Sequence, residues 1–187
     1  MPEIDVPSLF IAMTLNLLIM AVVLPYFMGR VNRAARCAQT GIVLQTAGWI
    51  FLLSSSTFER GGWADHLLST LSMACVSSGM VFNAIAFQLW CGRRESVRLP
   101  VAIAVLMTVG YGIGYADYEF RVAWANGLLA LQIAIVVLDL CRPPQVAVGR
   151  WRWLLIICLS IQIVVLACRA VLGGFYSAAF PNFFGPY

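Results

Sequence analysis

The chain has 187 residues, 61% of them hydrophobic and 11% charged, with a net charge of +4 and arginine as its only strongly basic residue. A soluble domain averages about 45–50% apolar and about 25% charged residues. This composition therefore excludes a water-dissolved globule and makes the lipid bilayer the solvent. The positive balance is no evidence for nucleic acid, because the arginines have a topological explanation.

A helix needs roughly 20 apolar residues to cross the hydrocarbon core. In chain order the sequence predicts six spans, over residues 9–28, 37–56, 67–89, 101–115, 122–140 and 153–172. The first follows MPEIDVPSLF, which carries two acids and no base. A cleavable signal would begin with positive charge, so this run reads as a retained span. The second and third are long and continuous. The fourth is the shortest and begins after Pro100, a residue suited to a first helical turn. The fifth and sixth are again long. Runs this long and this apolar do not fit the alternating strands of a membrane barrel. The expected fold class is all-α, a polytopic membrane helix bundle forming a single domain. Its short connections make neighbouring spans antiparallel.

Charge orients those spans. Arg30, Arg33 and Arg36 follow span one, Arg93, Arg94 and Arg98 follow span three, and Arg142, Arg150 and Arg152 follow or flank the connection after span five. Glu3, Asp5, Glu59, Asp65, Asp117 and Glu119 gather on the other side. Short basic loops stay in the cytoplasm, so the N-terminus and, after six crossings, the C-terminus are expected outside. Tyr26, Trp90, Trp151 and Trp153 then mark the inner interface, and Trp63, Tyr115, Tyr118 and Trp124 the outer one. The tail FYSAAFPNFFGPY (173–187 with the two preceding glycines) is uncharged and aromatic. It reads as an outer-interface segment or as the start of a seventh span.

Few residues could carry chemistry. Cys37, Cys75, Cys91, Cys141, Cys158 and Cys168 form no Cys-x-x-Cys pair and read as small, polarizable helix residues. His66, the single histidine, cannot build a multi-histidine metal site. It reads as a solvated loop residue, with pH sensing as the sharper alternative. Gly110, Gly112 and Gly114 resemble a nucleotide loop only superficially, since they lie in an apolar span where small residues allow close packing. There is no catalytic motif, and neither a metal nor a cofactor is expected.

Asn16, Gln45, Ser77, Ser78, Asn83, Asn126, Gln132 and Gln162 fall at membrane depth, where each needs a partner. For most, interhelical bonding worth about 0.6 kcal/mol is the plain reading. Arg169 stands apart as an arginine inside a span, either snorkelling to the surface or facing an anion. The topology places Asn16, Trp49, Tyr111, Trp124, Asn126 and Arg169 in the outer half, and Gln162 shares a helix face with Arg169. These seven residues are the candidate ligand pocket: mostly apolar, with a few polar groups, and closed by Arg169.

SLFIAMTLNLLIMAVVL, AGWIFLLSSS, LLSTLSMACVSSGMVFNAIAFQLWCGRR and RAVLGG resemble the N-terminal multi-span membrane sensor region of bacterial GGDEF-type diguanylate cyclases. The resemblance covers essentially the whole chain, but through apolar stretches and without a GGDEF sequence. It implies an inner-membrane sensory domain that relays a small-molecule or lipid ligand, or the state of the bilayer, to a cytoplasmic output domain making cyclic di-GMP. It also implies a homodimer in the parent protein. The alternative is a small transporter or channel-like protein, which should carry acids or histidines at mid-depth. Asp139, at a span's basic end, is the nearest approach to one.

Overall fold

The computed structural model describes residues 32–59, 61–93, 96–146 and 149–175, together with Leu15, Leu18 and Ile19, which are helical and exposed. The described residues form five helices and no strand: α1 (Arg33–Ser55), α2 (Trp63–Trp90), α3 (Arg98–Ile113), α4 (Tyr118–Cys141) and α5 (Trp151–Phe175). Four of these, all but α3, are long and apolar enough to cross a membrane. The protein is thus a helical membrane protein, with four long spans and one short apolar helix among the described residues rather than six spans. Apart from Leu15, Leu18 and Ile19, the expected first span, 9–28, lies outside the described residues, as does the tail beyond 175.

Helix ends follow local chemistry rather than the edges of the apolar runs. α1 begins at Arg33, ahead of its apolar run, because the Asn32 side chain accepts from the Ala35 amide at 2.8 Å. Such a cap satisfies one of the four amides that a helix start leaves open. Asp117 caps α4 in the same way, accepting from Phe120 N at 3.1 Å. α2 ends in a Schellman turn: Arg93 N donates to Gln88 O at 2.9 Å and Gly92 N to Leu89 O at 3.0 Å. Gly92 sits at φ 72°, which glycine adopts without a Cβ penalty. Pro100 is the third residue of α3, where its missing N–H breaks no intrahelical bond. At 16 residues, α3 is about 24 Å long, short of the ~30 Å hydrocarbon core.

The helices pack in sequence, with α2 touching α1, α3 and α4, and α5 lying mainly on α4. α1 and α2 form the most extensive pair and run antiparallel. A Cβ on Gly41 would come within 2.9 Å of Gly79 O, and one on Gly79 within 2.7 Å of Gly41 O, so the two backbones meet where neither has a side chain. Gln45 Nε2 reaches Met80 Sδ at 3.2 Å beside that crossing. α2 and α4 run parallel: Gln132 on α4 reaches Ser77 O, and Asp139, two turns further on, meets Gln88. The antiparallel pairs and this parallel one gather Arg33, Arg36, Arg93, Arg98, Arg142, Arg150 and Arg152 at one end. The other end holds Glu59, Asp65, Asp117 and Glu119.

Two buried clusters sit near these two ends. At the basic end, Ala84 and Cys91 of α2 meet Val136 and Leu140 of α4 and Ile156 of α5. At the acidic end, Tyr111, Tyr115 and Ala125 meet Met73 and Trp124.

Candidate functional site

The acidic end is built from three helix termini. α2 opens with Asp65 and His66, α3 closes with Tyr111 and leads to Tyr115, and α4 opens with Tyr118, Arg121 and Trp124. Two glycines let them converge. A Cβ on Gly110 would strike the indole of Trp124, and one on Gly114 would strike the ring of Phe120. Phe120 and Trp124 stack with their centroids 5.3 Å apart. Gly110 and Gly114 therefore serve α3–α4 packing within one chain, while Gly112 faces Thr70 of α2.

Arg121 lies at the centre. Its guanidinium carbon is 4.2 Å from the centroid of Tyr115, 5.6 Å from that of Tyr118 and 5.8 Å from that of Tyr111. Aromatic faces attract such a cation through their quadrupoles, the more so when water is excluded. Tyr115 also stacks with His66, centroids 4.2 Å apart and planes 19° apart. His66 Nε2 lies 3.0 Å from Gly112 O; a carbonyl only accepts, so Nε2 carries the proton. Asp65 is held by its own helix start, accepting from Ser69 Oγ and Gly61 N, each at 3.1 Å.

Polar groups here are buried but incompletely paired. Among the described residues Arg121 Nε, Trp124 Nε1 and Thr70 Oγ1 are inaccessible and have no hydrogen-bond partner, and the Tyr115 hydroxyl lies beside the Asp65 carboxylate without a well-formed bond to it. Arg121 has no ion-pair partner among the described residues. Burial holds the Tyr115 phenol above its ordinary pKa, and the nearby Asp65 carboxylate pushes it the same way. Native interiors leave few polar atoms orphaned. These atoms belong to the acidic-end cluster, where the Asp65 carboxylate acts on both Tyr115 and Arg121. Its chemistry suits an anionic or hydrogen-bonding small molecule. Among the described residues no group of histidine, cysteine, aspartate and glutamate could hold a metal ion.

The residues singled out from the sequence fall in different places. Tyr111 is buried and Trp124 partly buried, and both belong to this cluster. Asn126, one turn further along α4, is turned back on its own helix, with Nδ2 donating to Val122 O at 2.7 Å. Trp49 is partly buried on α1, which packs chiefly on α2. Gln162 and Arg169 are exposed on α5, on the part of that helix that does not pack on α4. Asn16 lies outside the described residues. The structure thus brings Tyr111 and Trp124 together and keeps Gln162 and Arg169 on a separate, open face.

Arg121 was legible only indirectly. Tyr111, Tyr115, Tyr118 and Arg121 recur at spacings of four, three and three, and Arg121 is a cation amid acids. Those signals mark it, but a loop position gives no hint that three rings converge on it.

The basic end is the opposite case. Gln88 Nε2 donates to Asp139 Oδ2 at 2.6 Å, and Gln88 Oε1 accepts from Ser96 N at 2.8 Å. Arg93 donates to Asp139 O and, at 2.9 Å, to Pro143 O, while Arg142 pairs with Asp139 at 3.3 Å. These bonds tie α2, α4 and both adjoining loops into a closed polar latch.

No protein-family model, curated protein or solved structure matches the chain.

Proposed function

We propose that this protein is a sensory membrane domain of a bacterial inner membrane. In this reading the acidic end faces outward and takes a small ligand at Arg121, and the basic end faces the cytoplasm and an output domain. Counted with the apolar run at 9–28, the chain makes six crossings, with both termini outside. The output domain is a diguanylate cyclase in the manner of the family the sequence resembles, and the parent protein is a dimer.

The observation that carries the reading is the contrast along α2 and α4. These parallel helices begin in a cluster where several buried polar atoms lack a partner among the described residues, and end in a hydrogen-bonded latch. Between them the grip is weak: Gln132 Nε2 reaches Ser77 O and Pro100 O only at 3.5 and 3.4 Å, and its Oε1 is buried without a partner. A ligand that hydrogen-bonds Arg121 or Tyr115 in one helix arrangement and not another would shift the population between them. The helices would carry that shift to the latch, and the loose contact at Gln132 offers it little resistance.

The test is reconstitution in proteoliposomes with a panel of small carboxylates and phosphate esters. A ligand should raise the melting temperature and alter hydrogen exchange at Gln88–Ser96 without crossing the bilayer, and Arg121→Ala should abolish both effects. Substrate-dependent flux through the wild-type chain would establish a transporter and overturn the sensory reading.

A further inference from the structure

The bundle has another opening, lined by none of the residues of the aromatic cluster. α2 and α3 leave between them an apolar groove of about 550 Å³. It exists because Ser78 and Ala104 are small and because α3 presents valines in a row, at 97, 101, 105 and 109. Val101, Val105 and Val109 are 44%, 57% and 52% exposed, so the trough opens sideways, toward lipid rather than along the helix axes.

Two features select an occupant. The first is length. From Val97 to Val109 the groove follows α3 for about 18 Å at the helical rise. One leaflet of a ~30 Å hydrocarbon core is about 15 Å deep, so the groove matches a single acyl chain entering from one surface. The second is charge at its mouth. Arg98 precedes Val101, Val105 and Val109 at helical spacing and therefore shares their face. Arg93 and Arg142 at the same end are committed to Asp139 and the neighbouring loop. Arg98 is exposed and has no hydrogen-bond or ion-pair partner among the described residues.

We propose that this groove binds one acyl chain of an anionic phospholipid, with the lipid phosphate held at its mouth by Arg98. A guanidinium pairs with phosphate oxygens through two parallel N–H donors, which an exposed arginine at headgroup depth is free to offer. The apolar trough alone would accept any lipid; the arginine supplies the preference for negative charge. The site is separate from the Arg121 cluster, and the proposal does not depend on the sensory reading.

The full chain, purified in mild detergent, would be titrated with phosphatidylglycerol and with phosphatidylcholine of the same acyl length and scored by native mass spectrometry. The anionic lipid should be retained about fivefold more strongly. Arg98→Gln should bring it down to the phosphatidylcholine level. Val105→Trp, which fills the trough, should weaken both lipids while the helical circular-dichroism signal is unchanged. Equal retention of the two lipids by the wild type, or a preference that survives Arg98→Gln, would overturn the proposal in favour of ordinary annular lipid. A Val105→Trp variant that keeps its lipid but changes oligomeric state would overturn it in favour of a second protein chain in the groove.

Discussion

The two ends of the bundle use the same residue types to opposite effect. At the basic end Asp139 gathers Gln88, Arg142 and, through its backbone carbonyl, Arg93, and the Gln88 amide is satisfied on both sides. At the acidic end Arg121 is surrounded by tyrosine faces, and several buried polar atoms near it have no partner. A satisfied buried network fixes one arrangement of helices, whereas an unsatisfied one costs free energy until something completes it. On the proposed reading the difference separates a clamp from a receptive site, and substitutions at each end should behave accordingly.

Asp139→Ala should have the largest effect. It orphans the Gln88 amide, which is buried, while the exposed Arg142 guanidinium loses only a solvent-screened pair. A loss of about 2–3 kcal/mol is expected, read from steric-trapping or thermal unfolding in a bilayer mimetic. If stability is unchanged, the clamp is not one.

Gly110→Val comes next. The new side chain would collide with the Trp124 indole and drive α3 and α4 apart, costing about 1–3 kcal/mol as other overpacked sites do. Tryptophan emission should shift to the red as Trp124 loses its packing. An unshifted spectrum would mean that the close approach at Gly110 does not shape the cluster.

Arg121→Ala should move stability by no more than about 1 kcal/mol. It removes contacts to three rings but also removes an unpartnered buried Nε. Its effect belongs to ligand response instead. A loss of stability as large as that of Asp139→Ala would make Arg121 a structural residue and erase the contrast.

The smallest effect is expected for Arg169→Ala. Arg169 is exposed on α5 and should change stability by less than about 0.5 kcal/mol. A strong effect on ligand response there, with none at Arg121, would move the site to the face that the sequence first suggested.

Much of the architecture is readable in the sequence. The apolar runs around residues 37–56, 67–89, 122–140 and 153–172 correspond to helices long enough to cross a membrane, because run length and hydropathy are local properties. Their ends were less legible. α1 starts four residues ahead of its apolar run, since an Asn32 cap and the helix-forming residues after it extend the helix regardless of lipid contact. The site was legible in part. Tyr111 and Trp124 share the acidic end that the charge pattern assigns them, but depth does not decide azimuth, so Arg169, and Gln162 two turns before it, lie on another face.

The sequence by itself determined the class of protein and its polarity. Hydropathy chose the solvent, and the alternation of arginines and acids set two unlike ends, because each of these follows from side-chain transfer energies residue by residue. Only the tertiary structure decided which arginine became special. Arg169 looked exceptional because it lies within an apolar run, and Arg121 looked ordinary because it lies near a loop. Convergence of three tyrosines from the end of α3 and the start of α4 depends on the glycine-mediated crossing of those helices. That crossing is a property of how two helix faces fit together, which no single segment contains.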